Sequence, residues 1–205
     1  MKRMLHVFAG AALALLAAGP ALAQEAPDAL VKRVSSETVA MIKADPKLQA
    51  GDPARVREVI EQKLLPHFDF QRMTAIAMGR NWRQATPEQQ KRLVDEFRTL
   101  LVRTYSNALT QYRDETIEVK PLTVDAKATD VTVRSEVIRP GRPPVQIDYA
   151  MTRTPQGWKA YDVVVGGVSL VTNYRDEFNE QVKGAGVDGL IKTLASKNAG
   201  PPPSK

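Results

Sequence analysis

The stretch that decides the fold is YDVVVGGVSLVTNYR, residues 161–175. Its first part ends at Val165 and is rich in β-branched residues, which predicts a buried strand. Gly166 and Gly167 then break the pattern. The apolar residues from Val168 onward predict a helix that begins there and runs to about Lys183. The segment therefore indicates a sheet that is followed directly by a closing helix.

Upstream of this stretch the chain alternates with period two, which is typical of strands with one buried face. Short connections rich in proline and glycine, at 140–144 and 154–157, separate the last three strands and predict an antiparallel meander. The predicted sheet has four strands, Thr116–Val124, Thr129–Arg139, Val145–Arg153 and Gly157–Val165.

The first half of the chain has helical spacing of its apolar residues instead. Asp52-Pro53 predicts a capped helix start, and Thr86-Pro87-Glu88-Gln89 predicts a capping box. The predicted helices are Pro27–Lys43, Asp52–Leu64, Phe70–Met78, Pro87 to about Tyr112, and a last one at Val187–Lys197. Helices, then a meander, then helices predict an α+β domain. A long helix across a curved four-stranded sheet, as in NTF2-like folds, would leave a concave space between them.

The two ends of the chain look unlike the rest. Lys2 and Arg3, the apolar run from Leu5 to Ala18 and the small residues of Ala21-Leu22-Ala23 predict a cleaved signal peptide at 1–23. A membrane anchor is the alternative, but the apolar run is shorter than the roughly 20 residues that span a bilayer. We expect one domain at 24–197 and a disordered, proline-rich tail at 198–205.

Composition argues against several classes of protein. The net charge of +6 is spread along the chain, which does not favour nucleic acid as a partner. The sequence has no cysteine, and His67 is the one histidine after the predicted leader, so no zinc-ligand spacing exists. Phosphate-loop and Gly-x-Ser-x-Gly motifs are absent from the sequence as well. No cofactor or metal is expected.

An enzyme remains a less favoured alternative. Cone-shaped folds can hold a buried carboxylate, and Asp148 or Asp162 could supply one with a raised pKa. Ser169 follows the glycine pair, where a helix-start hydroxyl that satisfies a free amide explains it better than a nucleophile does. Many apolar and aromatic side chains could point between helix and sheet, and sequence alone allows either a packed core or a ligand cavity.

An ordered set of short motifs resembles one family. It comprises LLPHFDF at 64–70, MGRNWRQATPEQQ at 78–90, the Phe97-to-Tyr112 stripe, GRPPV at 141–145, WKAYDV at 158–163, GVSLV at 167–171 and GVDGL at 186–190. Each motif is weak by itself, but the order and spacing together are specific. The chain is similar to the toluene-tolerance family of periplasmic phospholipid-binding proteins, the MlaC-type carriers of the Mla (maintenance of lipid asymmetry) pathway.

The resemblance implies a monomeric periplasmic carrier that shuttles phospholipid between an outer-membrane lipoprotein complex and an inner-membrane ABC transporter complex. It also implies a curved sheet wrapped by helices around a deep apolar pocket that takes acyl chains. On that basis, with orientations inferred from periodicity, we expect the chain contacts to be Phe97, Leu101, Tyr105, Val133, Tyr149, Met151, Val163, Val168, Leu170 and Val171.

Two further expectations and one alternative follow from the resemblance. Candidates for contact with a headgroup or a partner are Arg80, Arg83, Arg142 and Arg175. The family often has glutamate where this chain has Gly166, which we expect to loosen the junction that follows the strand. A carrier for another lipid, such as a hopanoid, is the alternative, and neighbouring genes would distinguish the two.

Overall fold

A computed structural model describes residues 24–110 and 115–200, with the backbone alone for residues 107–110. The predicted leader, residues 201–205 and Tyr112 lie outside the described residues. Within the described part of the chain, no helix is both long and apolar enough to cross a membrane.

The chain begins with three helices, α1 (Pro27–Ala44), α2 (Pro46–Gln49) and α3 (Pro53–Val59). Asp52 caps α3 because its Oδ1 accepts a hydrogen bond of 2.8 Å from the amide of Arg55, as the Asp52-Pro53 pair predicts. The sequence predicts one helix that continues to Leu64, but the α-helix ends at Val59. A π-helical turn spans Ile60–Leu64, and a 3₁₀ turn at Leu65–His67 follows it.

Two further helices match their predicted starts. In α4 (Phe70–Met78), Asp69 caps the first turn and Gly79, with φ +55°, ends the helix. A 3₁₀ turn at Gly79–Gln84 leads to α5 (Pro87–Thr110). The amide of Thr86 donates to Oε1 of Gln89 at 2.9 Å, and the amide of Gln89 donates to Oγ1 of Thr86 at 3.3 Å, which confirms the capping box.

The sheet has five antiparallel strands rather than four. They are β1 (Thr116–Val119), β2 (Asp130–Arg139), β3 (Arg142–Thr154), β4 (Gly157–Val165) and β5 (Val168–Ser169), in the spatial order β1-β2-β3-β4-β5. The register pairs Val133 with Tyr149 and Tyr149 with Val163, so these side chains share one face.

The fifth strand corrects the predicted helix start at Val168. Gly166 and Gly167 have φ of +57° and +85°, as the two central residues of a type I′ turn require. The chain therefore reverses, and Val168 pairs with Val165 on β4. A 3₁₀ turn at Thr172–Tyr174 precedes α6 (Arg175–Ala199). The glycine pair thus forms a tight hairpin rather than a loose junction between strand and helix.

The last helix is broken where the sequence predicts a gap between two helices. Gly186 has φ 70° and ψ −178° inside α6, a non-helical conformation. The helix nevertheless continues to Ala199, so Asn198 and Ala199 belong to α6 rather than to the predicted tail. Nδ2 of Asn198 donates to the main-chain oxygen of Glu96 at 2.9 Å and holds this end against α5.

Packing divides the interior into three clusters. The largest lies between α4, α5 and α6, where the ring of Phe97 meets those of Tyr174 and Phe178 with 5.2 Å between centroids in each pair. A second joins Leu30 and Val31 of α1 to the sheet, and a third joins α1 to α2 and α3. α1 therefore contacts the sheet near its start and the helices α2 and α3 near its end.

Candidate functional site: an apolar cavity

A cavity of about 290 Å³ lies between α1, α5, the turn region 60–73 and the sheet. Its wall consists almost entirely of apolar side chains from these four parts of the fold. The lining residues are Leu30, Val31, Val34, Ser35, Thr38, Val39, Ile42, Ile60, Leu64, Leu65, His67, Phe68, Phe70, Met73, Leu101, Val102, Tyr105, Ser106, Ile117, Ile147, Tyr149, Met151, Ala160, Val163 and Leu170.

The sheet supplies one wall through its period-two alternation. Ile147, Tyr149 and Met151 follow one another on the same face of β3 and all reach the cavity. Val163 lies opposite Tyr149 on β4, and Ile117 extends the wall onto β1. The wall therefore follows directly from strand registers that bring these apolar residues onto one face.

Two helices supply the opposite walls through helical spacing. The inner face of α1 contributes a stripe from Leu30 to Ile42, at separations of one, three and four residues. On α5, Leu101 and Tyr105 lie four residues apart and line the cavity together with Val102 and Ser106. Neither helix brings an acidic or basic side chain to the wall.

The remaining wall is formed by the chain between α3 and α4. Phe68 pairs with Ala160 in a parallel bridge, and the amide of Asp69 donates to the main-chain oxygen of Ala160 at 2.9 Å. This contact holds Phe68 and Phe70, whose ring centroids are 5.9 Å apart, beside the sheet. The π-helical turn adds Ile60 and Leu64 from the other side.

The polar groups in the wall are few. The hydroxyl of Thr38 donates to the main-chain oxygen of Val34 at 2.7 Å, so its hydrogen is already used within α1. Burial raises the pKa of Tyr105 to about 12, and the neighbouring Tyr174 acts in the same direction. Burial and the charge of Arg33 lower the pKa of His67, which favours the neutral imidazole. The cavity can therefore shield apolar groups from water, and its described wall lacks a charged group that would attract ions.

Comparison with known proteins identifies the family. The sequence model of the family described as "MlaC protein" matches residues 32–196, which is most of the chain. The chain belongs to the MlaC family.

Individual relatives agree with this assignment. The "Toluene tolerance protein ttg2D" of Pseudomonas putida is 29% identical over 197 residues, covering 93% of this chain and 89% of the relative. The "Intermembrane phospholipid transport system binding protein MlaC" of Haemophilus influenzae is 22% identical over 208 residues, covering 98% and 95% of the two chains.

A solved structure has the same fold. It is the phospholipid-binding protein from Ralstonia solanacearum, determined in complex with a phospholipid. That protein is 43% identical to this chain with a TM-score of 0.77, and the match covers 84% of this chain and 96% of that one. The MlaC family and the α+β architecture are thereby shown, with five strands in this chain.

The structure brings together six of the ten side chains that the MlaC resemblance singled out as chain contacts. They are Leu101, Tyr105, Tyr149, Met151, Val163 and Leu170, and all of them line the cavity. The placement of five of them follows from strand and helix periodicity, whereas Leu170 was predicted on a helix and lies in the turn after β5.

The other four side chains lie elsewhere. Phe97, Val133 and Val171 are fully buried in packed clusters and do not reach the cavity wall. Val168 is 56% exposed because the hairpin at Gly166 and Gly167 directs it to solvent. Periodicity showed that the first three are buried, but it could not distinguish a core contact from a cavity wall.

The largest omission from the expected site is α1. Its apolar stripe was recognised in the sequence as a helix face. The spacing of the residues does not show which part of the fold this face packs against. Phe68 and Phe70 are among the aromatic side chains that could point between helix and sheet, but they were not assigned to the site, and the π-helical turn was missed. The four arginines considered for a headgroup or partner, Arg80, Arg83, Arg142 and Arg175, are exposed and lie outside the cavity wall.

The carboxylate that the enzyme alternative requires has a structural role here. Asp162 is buried, and its Oδ1 accepts hydrogen bonds from the amides of Val163 at 2.8 Å and Val171 at 3.3 Å. Its Oδ2 accepts a hydrogen bond of 2.5 Å from the hydroxyl of Ser169. Asp162 therefore holds the β4–β5 hairpin to the segment that follows it, and it does not line the cavity.

Asp148 also lies away from the cavity wall and accepts hydrogen bonds from the side-chain amide of Gln146. In residues 24–110 and 115–200, no group of three or more histidine and acidic side chains is placed to hold a metal ion.

Proposed function

We propose that this protein is a periplasmic carrier that binds phospholipid and shuttles it between membrane complexes of the inner and outer membranes. The observation that carries the proposal is the apolar cavity between α1, α5 and the sheet. The family membership and the phospholipid named for the Ralstonia and Haemophilus relatives support the choice of cargo.

The energetics explain why such cargo needs a protein. Burial of one methylene contributes about 0.8 kcal/mol, so two acyl chains with roughly 30 methylenes would cost on the order of 20 kcal/mol to expose to water. Spontaneous escape through water is therefore extremely slow. A cavity with an apolar wall shields the chains during the crossing, and release requires a docked partner that offers a continuous apolar path.

Export and partners complete the proposal. The predicted signal peptide at 1–23 directs the chain to the periplasm, where the carrier meets an outer-membrane lipoprotein complex and an inner-membrane ABC transporter complex. We further propose that the headgroup remains near solvent, since the described cavity wall offers apolar groups almost exclusively.

The proposal is tested by native mass spectrometry of the mature protein purified from its periplasm, followed by organic extraction. A mass excess that extracts as phospholipid is the expected result. An extracted hopanoid or other lipid would show that the protein is a carrier whose cargo is not phospholipid. An unliganded mass that persists after incubation with phospholipid vesicles would contradict the carrier function.

Shuttling needs a second measurement. Labelled phospholipid is loaded into the purified protein, and its transfer is followed to liposomes that contain either the inner-membrane or the outer-membrane complex. We expect transfer to be at least tenfold faster to liposomes with a complex than to protein-free liposomes. Equal rates would show that the protein binds lipid without delivering it to these partners.

A further inference from the structure

Two arginines face each other at one end of the sheet. Arg139 ends β2 and Arg142 begins β3, with Pro140 and Gly141 as the turn between them, and the register pairs the two arginines directly. Side chains in such a pair have Cβ atoms roughly 4.5–5.5 Å apart and extend from the same face. Like charges in directly opposite positions destabilise a sheet, so this pair has a cost that a bound anion would offset.

The shared face is the one that carries the cavity wall. Along β2, the side chains of Val133, Ser135 and Val137 are buried while those between them are more exposed. Arg139 is half-buried and lies two residues beyond Val137, after a register shift between β2 and β3. Val137 lies opposite Ile117, a residue of the cavity wall on β1. Arg139 therefore lies two residues farther along β2 than the position opposite Ile117, beyond the apolar wall.

Neither arginine has an acidic partner among the residues that the structure describes. Other arginines do, since Arg33 pairs with Glu25 at 2.8 Å, Arg55 with Asp45 at 2.7 Å and Arg72 with Asp130 at 2.6 Å. In contrast, Nε of Arg139 is buried without a hydrogen-bond partner. A buried donor left unpaired destabilises the fold, and a ligand that accepts its hydrogen bond would remove that cost.

We propose that Arg139 and Arg142 bind the phosphate group of the cargo lipid at the end of the cavity. This inference rests on the proposed phospholipid carrier function. A guanidinium is always charged and offers a planar pair of donors that matches two phosphate oxygens. Two such groups on one face, next to a wall that holds acyl chains, suit a lipid phosphodiester.

The consequence is selectivity by chemical class. A lipid with the same acyl chains but without phosphate, such as diacylglycerol, leaves both guanidiniums unneutralised and binds less well. The group attached beyond the phosphate is not selected by this pair, so phosphatidylethanolamine and phosphatidylglycerol are accepted alike.

The test is a competition for loading. The mature protein is incubated with vesicles that contain phosphatidylethanolamine, phosphatidylglycerol and diacylglycerol with identical acyl chains, re-isolated, and its bound lipids are quantified by mass spectrometry. We expect the wild-type protein to take up phospholipid over diacylglycerol by at least tenfold relative to their vesicle content. Arg139→Gln and Arg142→Gln should each lower this ratio at least threefold.

Arg134→Gln is the matched control. Arg134 lies on the same strand but is exposed on the opposite face. The substitution therefore removes the same charge at a position that does not face the cavity. Its ratio should equal that of the wild type. Thermal unfolding of each variant checks that it is folded. If Arg139→Gln is unstable, the test is made with Arg142→Gln, because Arg142 is exposed.

The outcomes separate the phosphate site from the carrier function. Equal uptake of diacylglycerol by the wild type, or an unchanged ratio in both variants, would overturn the site and leave the carrier intact. Uptake of no lipid at all would contradict the carrier function itself. Binding of inorganic phosphate to the lipid-free protein, lost in Arg139→Gln while the lipid ratio stays unchanged, would assign the pair to free phosphate and overturn the lipid assignment.

Discussion

Leu170 and Val168 are two residues apart, yet only Leu170 lines the cavity, while Val168 is exposed at the hairpin. A charge at position 170 would have to be desolvated beside acyl chains, whereas a charge at position 168 remains in water. We predict that Leu170→Glu lowers the amount of copurifying lipid at least tenfold and that Val168→Glu leaves it unchanged.

Lipid extraction and quantification per mole of folded protein measure the effect of both substitutions. Because the two variants introduce the same side chain two positions apart, net charge and general surface effects are matched. Lipid loss in Val168→Glu with retention in Leu170→Glu would show that the cavity assigned here is not where the chains bind.

Asp162 permits a prediction about stability at the same scale. Asp162→Ala removes the acceptor of three hydrogen bonds and leaves the buried amide of Val163 without its side-chain partner. We expect a loss of about 2–4 kcal/mol in the free energy of unfolding. Urea denaturation measures it. Asp148→Ala, which among the described residues loses the hydrogen bonds from the side-chain amide of Gln146, should stay within about 0.5 kcal/mol of the wild type.

Equal stability of Asp162→Ala and the wild type would mean that the carboxylate is not held as the structure shows it. In that case its burial would need another explanation, and the enzyme alternative would gain support. The expected loss instead identifies Asp162 as a structural residue.

At the scale of elements, the sequence predicts the helices and strands that are long enough to show several repeats of their hydrophobic pattern. β2 to β4 and helices α1, α4 and α5 each present several periods together with a cap or turn signal, and their positions were predicted closely. β5 has two residues, so alternation cannot appear within it, and its apolar composition suggested a helix. The pair of glycines carried the missing signal, since positive φ at both indicates a hairpin.

The cavity was predicted less completely than the elements. Residues on strands were assigned to the correct face because that face is fixed by alternation and register. The stripe on α1 was predicted as a helix face, but the position of α1 across the sheet depends on tertiary contacts. In one of them, the amide of Leu122 donates a hydrogen bond of 3.2 Å to Oδ2 of Asp28. Contacts between residues so far apart in the chain are not encoded in local periodicity.

The break in α6 gives an element-scale prediction with an internal control. Gly186 has φ 70° and ψ −178°, a region that is essentially restricted to glycine, while Gly184 has no such conformation. A Cβ at either position would meet no atom within 4 Å, so any difference between the two substitutions comes from the backbone. We predict that Gly186→Ala costs about 1–3 kcal/mol and that Gly184→Ala stabilises by about 0.5–1 kcal/mol.

Chemical denaturation of the two variants measures this difference. If both alanines stabilise the protein to the same extent, α6 is continuous through position 186 and the break is absent in solution. Cβ atoms four residues apart in a regular helix are about 5–6 Å apart, whereas a Cβ at Gly189 would lie 2.3 Å from that of Ala185, which shows the same distortion of α6.

At the scale of the whole molecule, the cavity is small for its proposed cargo. Its volume of about 290 Å³ lies just below the ~300–1,000 Å³ typical of sites for drug-sized ligands. Two acyl chains therefore require the walls to separate. α1 is the wall suited to move, because most of its buried face lines the cavity, whereas α5 and α6 are held by the largest core cluster.

We predict that removal of lipid destabilises the protein and that the change is concentrated in α1. A ligand at 100 times its Kd stabilises the bound state by about 2.7 kcal/mol, and each kcal/mol shifts the Tm of a domain of this size by roughly 2–4 °C. The delipidated protein should therefore unfold roughly 5–10 °C lower. Hydrogen exchange should be slower in the loaded than in the delipidated protein in α1 and the π-helical turn, with little change in α6.

The comparison is made on one preparation, before and after delipidation, with reloading from phospholipid vesicles as the reversal. Recovery of both the Tm and the α1 protection on reloading would attribute the changes to lipid rather than to damage. Protection changes spread evenly over α1, the sheet and α6 would contradict a movable α1 wall, because they would mean that the cavity widens by loosening the entire domain. A change confined to α6 would place the opening on the opposite side of α5, where the glycine break, rather than α1, would admit the lipid.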